Sequence, residues 1–226
     1  MTENALVITN AATSEQLAAR AALYQVFSNL LAGSDLADMD NPEYWSATVD
    51  MLEAGCPALP YDFSASELLS ALTKLDSAAQ QTIKADYSRF FEVGSDGVKL
   101  PIREELSDAK TRGKKEELVR FYDYFGYKLE PEFQWQPDHL ALQLEFVSFL
   151  IEGQWSQTAP EKQESQLLGQ RDFCQRQLLS WLPTLADKSQ QQIAQHFYNQ
   201  TLQSCLRFVQ TDFAWLQQQL AALENV

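Results

Sequence analysis

The chain is short of bases. Seventeen Lys and Arg stand against 31 Asp and Glu, a formal charge of −14 over 226 residues. Nucleic-acid binding rests on neutralising phosphates with Lys and Arg, so nucleic acid is not an expected partner. A basic partner is favoured electrostatically, although solubility alone is a sufficient use for the surplus acid. Cysteine is scarce as well. Cys56, Cys174 and Cys205 are odd in number and far apart, and no C-x-x-C occurs. This speaks against a disulfide framework or a zinc site, and the three are expected to be small buried apolar residues. Only two histidines are present, His139 and His196, neither with a metal-ligand partner at i+3 or i+4, and Glu-x-x-His is absent. No metal is expected. Gly94-Ser95-Asp96-Gly97-Val98-Lys99 is neither a P-loop nor a dinucleotide fingerprint, so no cofactor is expected either. A nucleophile motif, G-x-S-x-G or one built on cysteine, is also missing. No window of eighteen apolar residues exists, which excludes a membrane-spanning helix. The start has no basic segment, and its apolar run Ala5-Leu6-Val7-Ile8 is too short for a secretory signal, so a cytoplasmic location is expected.

Strand signals are missing too: there is no long β-branched alternation and no Asn-Gly hairpin. The expected fold is therefore all-α, a single compact bundle-like domain over 1–226, with a possible division into two lobes near 126–136. Pro and Gly punctuate it. Pro42, Pro137 and Pro160 suit helix starts, and Gly33, Gly55, Gly94, Gly126 and Gly153 follow periodic runs where left-handed caps sit. Thr13 with Gln16, and Ser64 with Glu67, read as capping boxes. Helices are expected at about 14–32, 42–55, 64–75, 78–93, 107–125, 137–153, 160–182, 189–198 and 201–223. Cys56-Pro57-Ala58-Leu59-Pro60 reads as a rigid connector.

The stretch Gln136-Pro137-Asp138-His139 opens the most apolar helix, Leu140 onward, whose apolar residues fall on nearly every face. Asp138 is expected to place a carboxylate at the positive end of the helix dipole. His139 reads either as a general base oriented by a carboxylate or as a hydrogen-bonded residue pinning a loop to the helix start. Glu104-Glu105 reads as acid–base groups, as a negative wall for a cationic ligand, or as a solvated loop end. Tyr87, Phe90 and Phe91 read as a core face or a ligand platform, Arg89 as half of an ion pair, and Trp135 as a partner anchor or a loop plug. Glu145, far along the apolar helix, is expected to pair with Arg89 or Arg20.

Three blocks carry a resemblance to a known family. Asp86-Tyr87-Ser88-Arg89-Phe90-Phe91, followed by Gly94 and Pro101, is similar to an aromatic-x-Arg-Leu-Phe, glycine, Pro-Pro-Tyr pattern. Phe121-Tyr122 with Phe125-Gly126 resembles a Tyr-x-x-x-Gly helix end. Pro137-Asp138-His139-Leu140 running into Leu144-Glu145-Phe146 resembles E-x-P-D-H-L…E-L-E-F-M. Together these resemble the TorD/DmsD/NarJ family of redox-enzyme maturation proteins. Two departures stand out: Leu100-Pro101-Ile102-Arg103-Glu104 replaces Pro-Pro-Tyr-Glu-Ser, and Gln143 stands where Glu is common. The loop variant is more similar to chaperones of the dimethyl-sulfide, ethylbenzene, chlorate and selenate enzyme branch. The resemblance implies a cytoplasmic chaperone without turnover. Its partners are the twin-arginine signal peptide and the apo form of a molybdoenzyme catalytic subunit, held until cofactor insertion. Tyr87, Pro101, Asp138 and His139 match leader-binding positions. With Glu104 and Trp135 they form the expected peptide site, in a monomer or a domain-swapped dimer. The alternative is a small hydrolase of nucleotides or phosphoesters using Asp138 and His139.

Overall fold

Short polar side chains set three of the helix starts. Thr13 and Gln16 bond reciprocally, each side chain accepting from the other's backbone N–H (3.2 and 2.9 Å), and this box opens α1 (Ser14–Leu31). Asn41 accepts from Glu43 N–H to open α2 (Pro42–Ala58), and Asp76 accepts from Ala79 N–H to open α4 (Ser77–Phe91). Between them lies the short α3 (Ser66–Leu72). The chain continues through α5 (Glu104–Ser107), α6 (Lys115–Phe125), α7 (Leu140–Ser156) and α8 (Pro160–Phe173). A π-helical turn, Cys174–Leu178, joins α8 to α9 (Leu179–Ile193), and α10 (Phe197–Glu224) ends the series. This computed structural model describes residues 12–33, 39, 41–92, 100–107, 114–129 and 136–224, and no strand occurs among them. The fold is all-α.

The core is built on α1 and α7, which run antiparallel. Ser28 Oγ donates to the Ala141 carbonyl (2.9 Å), and Ser148 Oγ donates to the Ala21 carbonyl (3.1 Å). Each helix thus offers a small hydroxyl where the other offers a carbonyl, satisfying the buried hydroxyls at close approach. Leu23, Phe27, Leu30 and Leu31 of α1 and Leu144, Phe146, Val147, Leu150 and Ile151 of α7 are fully buried. Phe146 meets Tyr122 and Phe173 edge-on at 4.8 and 4.7 Å, and α10 closes the far side with Phe208 against Tyr24 at 4.8 Å. Cys174 and Cys205 lie inside this core, Cys56 is partly buried, and all three are free. Burial raises all three thiol pKa values, that of Cys174 to about 12.

One buried ion pair ties four regions together. Arg20 Nε and Nη2 donate to the two Asp212 oxygens (2.6 and 3.0 Å), with both side chains fully buried. Tyr24 and Tyr61 hydroxyls add bonds to Asp212 (2.9 and 2.7 Å), Arg20 reaches Gln170 (2.9 Å), and the Trp215 ring covers the guanidinium at 4.5 Å. Such a pair is tolerated in a core only when its remaining hydrogen-bonding groups are largely satisfied.

The structure corrects several expectations. Glu145 does not pair with Arg20 or Arg89: Arg20 is committed to Asp212 and Arg89 is exposed beside Asp86. Glu145 is half-buried and its partner is the Tyr127 hydroxyl. Helix α7 begins at Leu140 rather than Pro137, because His139, not Pro137 or Asp138, occupies the cap. It continues through Gly153 to Ser156, and α2 continues through Gly55 and Pro57, so 56–58 is helix rather than connector. Ala65 caps α3, with no side-chain cap bond, so the Ser64–Glu67 box does not form. Pro183 lies inside α9 instead of ending the preceding helix, and α9 reaches Ile193 where a new helix was expected from 189. Gly33 and Gly126 do adopt the left-handed conformation, with φ of 91° and 75°. Gly94, Trp135 and most of 126–136 past Leu129 lie outside the described residues.

Candidate functional site

The site is assembled by a two-residue ladder. Leu100 N–H donates to Phe90 O (2.9 Å), placing residues 100–103 in an extended run that meets the head of α7. Leu140 N–H donates to Ile102 O, and Glu104 N–H donates to Asp138 O, both at 3.0 Å, so Arg103 and His139 lie opposite each other in antiparallel fashion. The Tyr122 hydroxyl fixes the approach by donating to Pro137 O (2.9 Å). Residues far apart in sequence are thereby clamped around one corner.

His139 is held by both ring nitrogens. Ala141 N–H donates to Nδ1 (3.2 Å), so the ring proton resides on Nε2, which donates to the Tyr87 hydroxyl (3.1 Å). The Tyr87 hydroxyl in turn donates to the Leu31 carbonyl (3.3 Å). Burial lowers the His139 pKa to about 4. The Asp138 carboxylate pulls it upward, and Arg103 lowers it further. A proton added at Nδ1 would face the Ala141 donor, so geometry opposes ionisation too. The Tyr87 ring rests on Gly33: a Cβ there would lie 2.6 Å from Tyr87 Cε1.

Asp138 is only 1 % exposed. Its Oδ1 accepts from Arg103 Nε (3.1 Å) and Nη2 (2.9 Å), and its Oδ2 accepts from Glu105 N–H (3.1 Å). It is therefore a structural tie between α5 and α7 as well as a carboxylate, and not simply a helix-start charge. Glu104, 2 % exposed, points the other way. It accepts from Gln143 Nε2 (2.7 Å) and Ser180 Oγ (3.3 Å), with Lys114 Nζ at 3.7 Å. Burial raises the Glu104 pKa, opposed by the Gln143 amide, Lys114 and Ser180. Gln143 in turn accepts from Trp181 Nε1 (3.1 Å). A Glu at 143 would set two carboxylates face to face, so the amide is the complement that Glu104 requires.

Tyr87, Pro101, Glu104, Asp138 and His139 thus come together, all buried, while Trp135 lies outside the described residues. Sequence reasoning missed Arg103, Ser180 and Trp181. Arg103 had a signal: a base inserted beside Glu104 in an acid-rich chain, at a departure from the family loop. Ser180 and Trp181 had none, because only the tertiary fold brings α9 to α5. Among the described residues no group of His, Cys, Asp and Glu is arranged to hold a metal ion, and no helix is long and apolar enough to cross a membrane.

Comparison with known proteins places this corner in a family. The family described as nitrate reductase delta subunit matches residues 56–187. The chaperone protein TorD of Vibrio parahaemolyticus is 28 % identical over 209 residues, covering 87 % of this chain and 94 % of that one. The selenate reductase assembly chaperone protein of Thauera selenatis is 31 % identical over 106 residues, 46 % of this chain and 55 % of its own. The chlorate reductase assembly chaperone protein of Ideonella dechloratans is 31 % identical over 108 residues, with the same coverage of each chain. No solved structure is significantly similar. With its family match spanning more than half its length, and α5, α6 and the head of α7 inside that match, the chain belongs to the nitrate reductase delta subunit family, the NarJ/TorD group.

Proposed function

We propose that the protein is a cytoplasmic chaperone without turnover. It binds the twin-arginine leader and apo form of a molybdopterin oxidoreductase, and releases the client after cofactor insertion. The observation that carries this reading is the Asp138 carboxylate gripping a guanidinium through two hydrogen bonds at the head of the most apolar helix. A leader offers two guanidiniums and an apolar stretch, and recognition of it calls for that pairing of carboxylate and apolar surface. Family membership and the likeness to proteins named as reductase assembly chaperones support the choice of client class. The hydrolase reading has less support: both His139 ring nitrogens are engaged, and a pKa near 4 makes a poor general base at neutral pH.

Calorimetry with synthetic leader peptides tests the proposal. A twin-arginine leader should bind, and its twin-lysine counterpart should bind roughly ten- to a hundredfold more weakly, since Lys cannot reproduce the planar fork. Equal affinity for the two peptides, or none for either, rejects the reading.

A further inference from the structure

Arg103 is seated where an incoming arginine would have to go. Its Nε and Nη2 both bond Asp138 Oδ1 at 3.1 and 2.9 Å. The Asp138 side chain is 2 % exposed and that of Arg103 is 20 % exposed, so the guanidinium lies over the carboxylate and meets solvent in its place. The Glu105 carboxylate, 44 % exposed, lies 4.0 Å from the same Nη2 on the outer side. One guanidinium therefore stands between an inner and an outer acid. The backbone around it is pinned by the ladder to Asp138 and Leu140. Exchanging the guanidinium therefore asks for rotation of a long side chain and no movement of the chain.

We propose that Arg103 is an internal occupant of the arginine-recognition carboxylate, and that a leader arginine binds by exchanging with it. The proposal rests on the leader-binding reading above and concerns the same Asp138. On exchange the leader guanidinium takes Asp138, while Arg103 swings toward Glu105, so two guanidiniums and two carboxylates pair without leaving a charge unmatched. The occupant lowers the apparent affinity for every cation by the fraction of time Asp138 is open. Arginine can replace the fork it displaces, whereas an ammonium replaces two directed bonds with one point charge. Arg103 thus excludes weak cations from an acidic protein and leaves peptides that carry arginine.

The test uses the full chain, a twin-arginine leader peptide and its twin-lysine counterpart. Arg103→Gln should bind the arginine peptide roughly ten- to a hundredfold more tightly than wild type. It should also discriminate less against the lysine peptide, and adding Asp138→Asn should cancel the gain. In wild type, the Arg103 Nε–H resonance should move as the arginine peptide saturates the protein. That wild-type titration decides the matter if Arg103→Gln does not fold. Should the peptide bind wild type while Arg103→Gln gains nothing, or while the Nε–H resonance stays still, Arg103 is only a structural tie and the leader reading stands without it. If neither peptide binds wild type, the leader reading fails and takes the exchange with it.

Discussion

His139 has no nitrogen to spare, and this makes it a pH-sensitive part of the fold. In the unfolded chain it takes a proton at its ordinary pKa of 6.5, and in the native chain only near 4. Above pH 6.5 it is neutral in both states and stability is complete. Between 6.5 and 4 the unfolded state holds a proton that the native state refuses, so stability falls by about 1.4 kcal/mol per pH unit, roughly 3 kcal/mol in all. Glu104 acts in the opposite sense: its raised pKa disfavours the native state as pH climbs above the usual carboxylate range. His139→Asn keeps an acceptor for Ala141 N–H and removes the titration. Urea melts of wild type and this variant at pH 7.5, 6 and 5 should show the gap between them changing in favour of the variant as pH falls. A constant gap would show that His139 titrates normally. At this scale the residues were legible and their partners were not. Asp138, His139, Tyr87 and Glu104 stood out as polar or aromatic groups near an apolar helix. In sequence Asp138 shows only as a helix-start carboxylate in a family motif, because its donors, Arg103 and Glu105 N–H, lie more than thirty residues away in the chain.

At the scale of elements, helix starts were easier to read than interiors and ends. The Thr13–Gln16 box and the helix start at Pro42 are local chemistry and are present in the fold, whereas Gly and the other prolines are weaker signals. Gly153 lies inside α7 because Gln166 packs against it, and an added Cβ would meet that side chain at 3.0 Å. Pro57 stands exposed in the last turn of α2 and Pro183 partly buried inside α9, each at the cost of one intrahelical donor. Gly33 differs, being both left-handed and in contact with the Tyr87 ring. Gly33→Ala should therefore cost about 2 kcal/mol or more, from backbone strain together with the clash. It should also weaken leader binding by displacing Tyr87 from His139. A mutation that leaves both the urea midpoint and the peptide affinity unchanged would show that the end of α1 does not position the site.

Over the whole molecule, α1, α8, α10 and the segment carrying Tyr61 meet at Arg20 and Asp212. Asp212→Ala would strand a fully buried guanidinium and should destabilise the protein by about 3–5 kcal/mol, measurable as a lowered urea midpoint. A loss below about 1 kcal/mol would mean that water reaches Arg20. The sequence did contain a trace of this pair. Asp212 falls in register with Cys205, Phe208, Val209, Trp215 and Leu216 on the buried face of α10, and Arg20 falls between Leu17 and Tyr24 on that of α1. A charge in a core register demands a partner, yet nothing in one dimension says which. The surplus acid acts at long range: the association rate of a twin-arginine leader should fall as salt rises from 0.05 to 0.5 M, by stopped-flow fluorescence. An unchanged rate would confine the electrostatics to the contact itself.

The buried thiols give the chain a further property. Cys174 and Cys205 are enclosed and all three cysteines are held in the protonated form, while it is the thiolate that attacks disulfides and peroxides. The native protein should therefore be nearly inert toward oxidant, with iodoacetamide reaching only Cys56, slowly, until the protein is unfolded. In the proposed role the protein would then offer its client only Cys56, a poor nucleophile, with which to form a mixed disulfide, and the two core thiols would be indifferent to the electron balance around them.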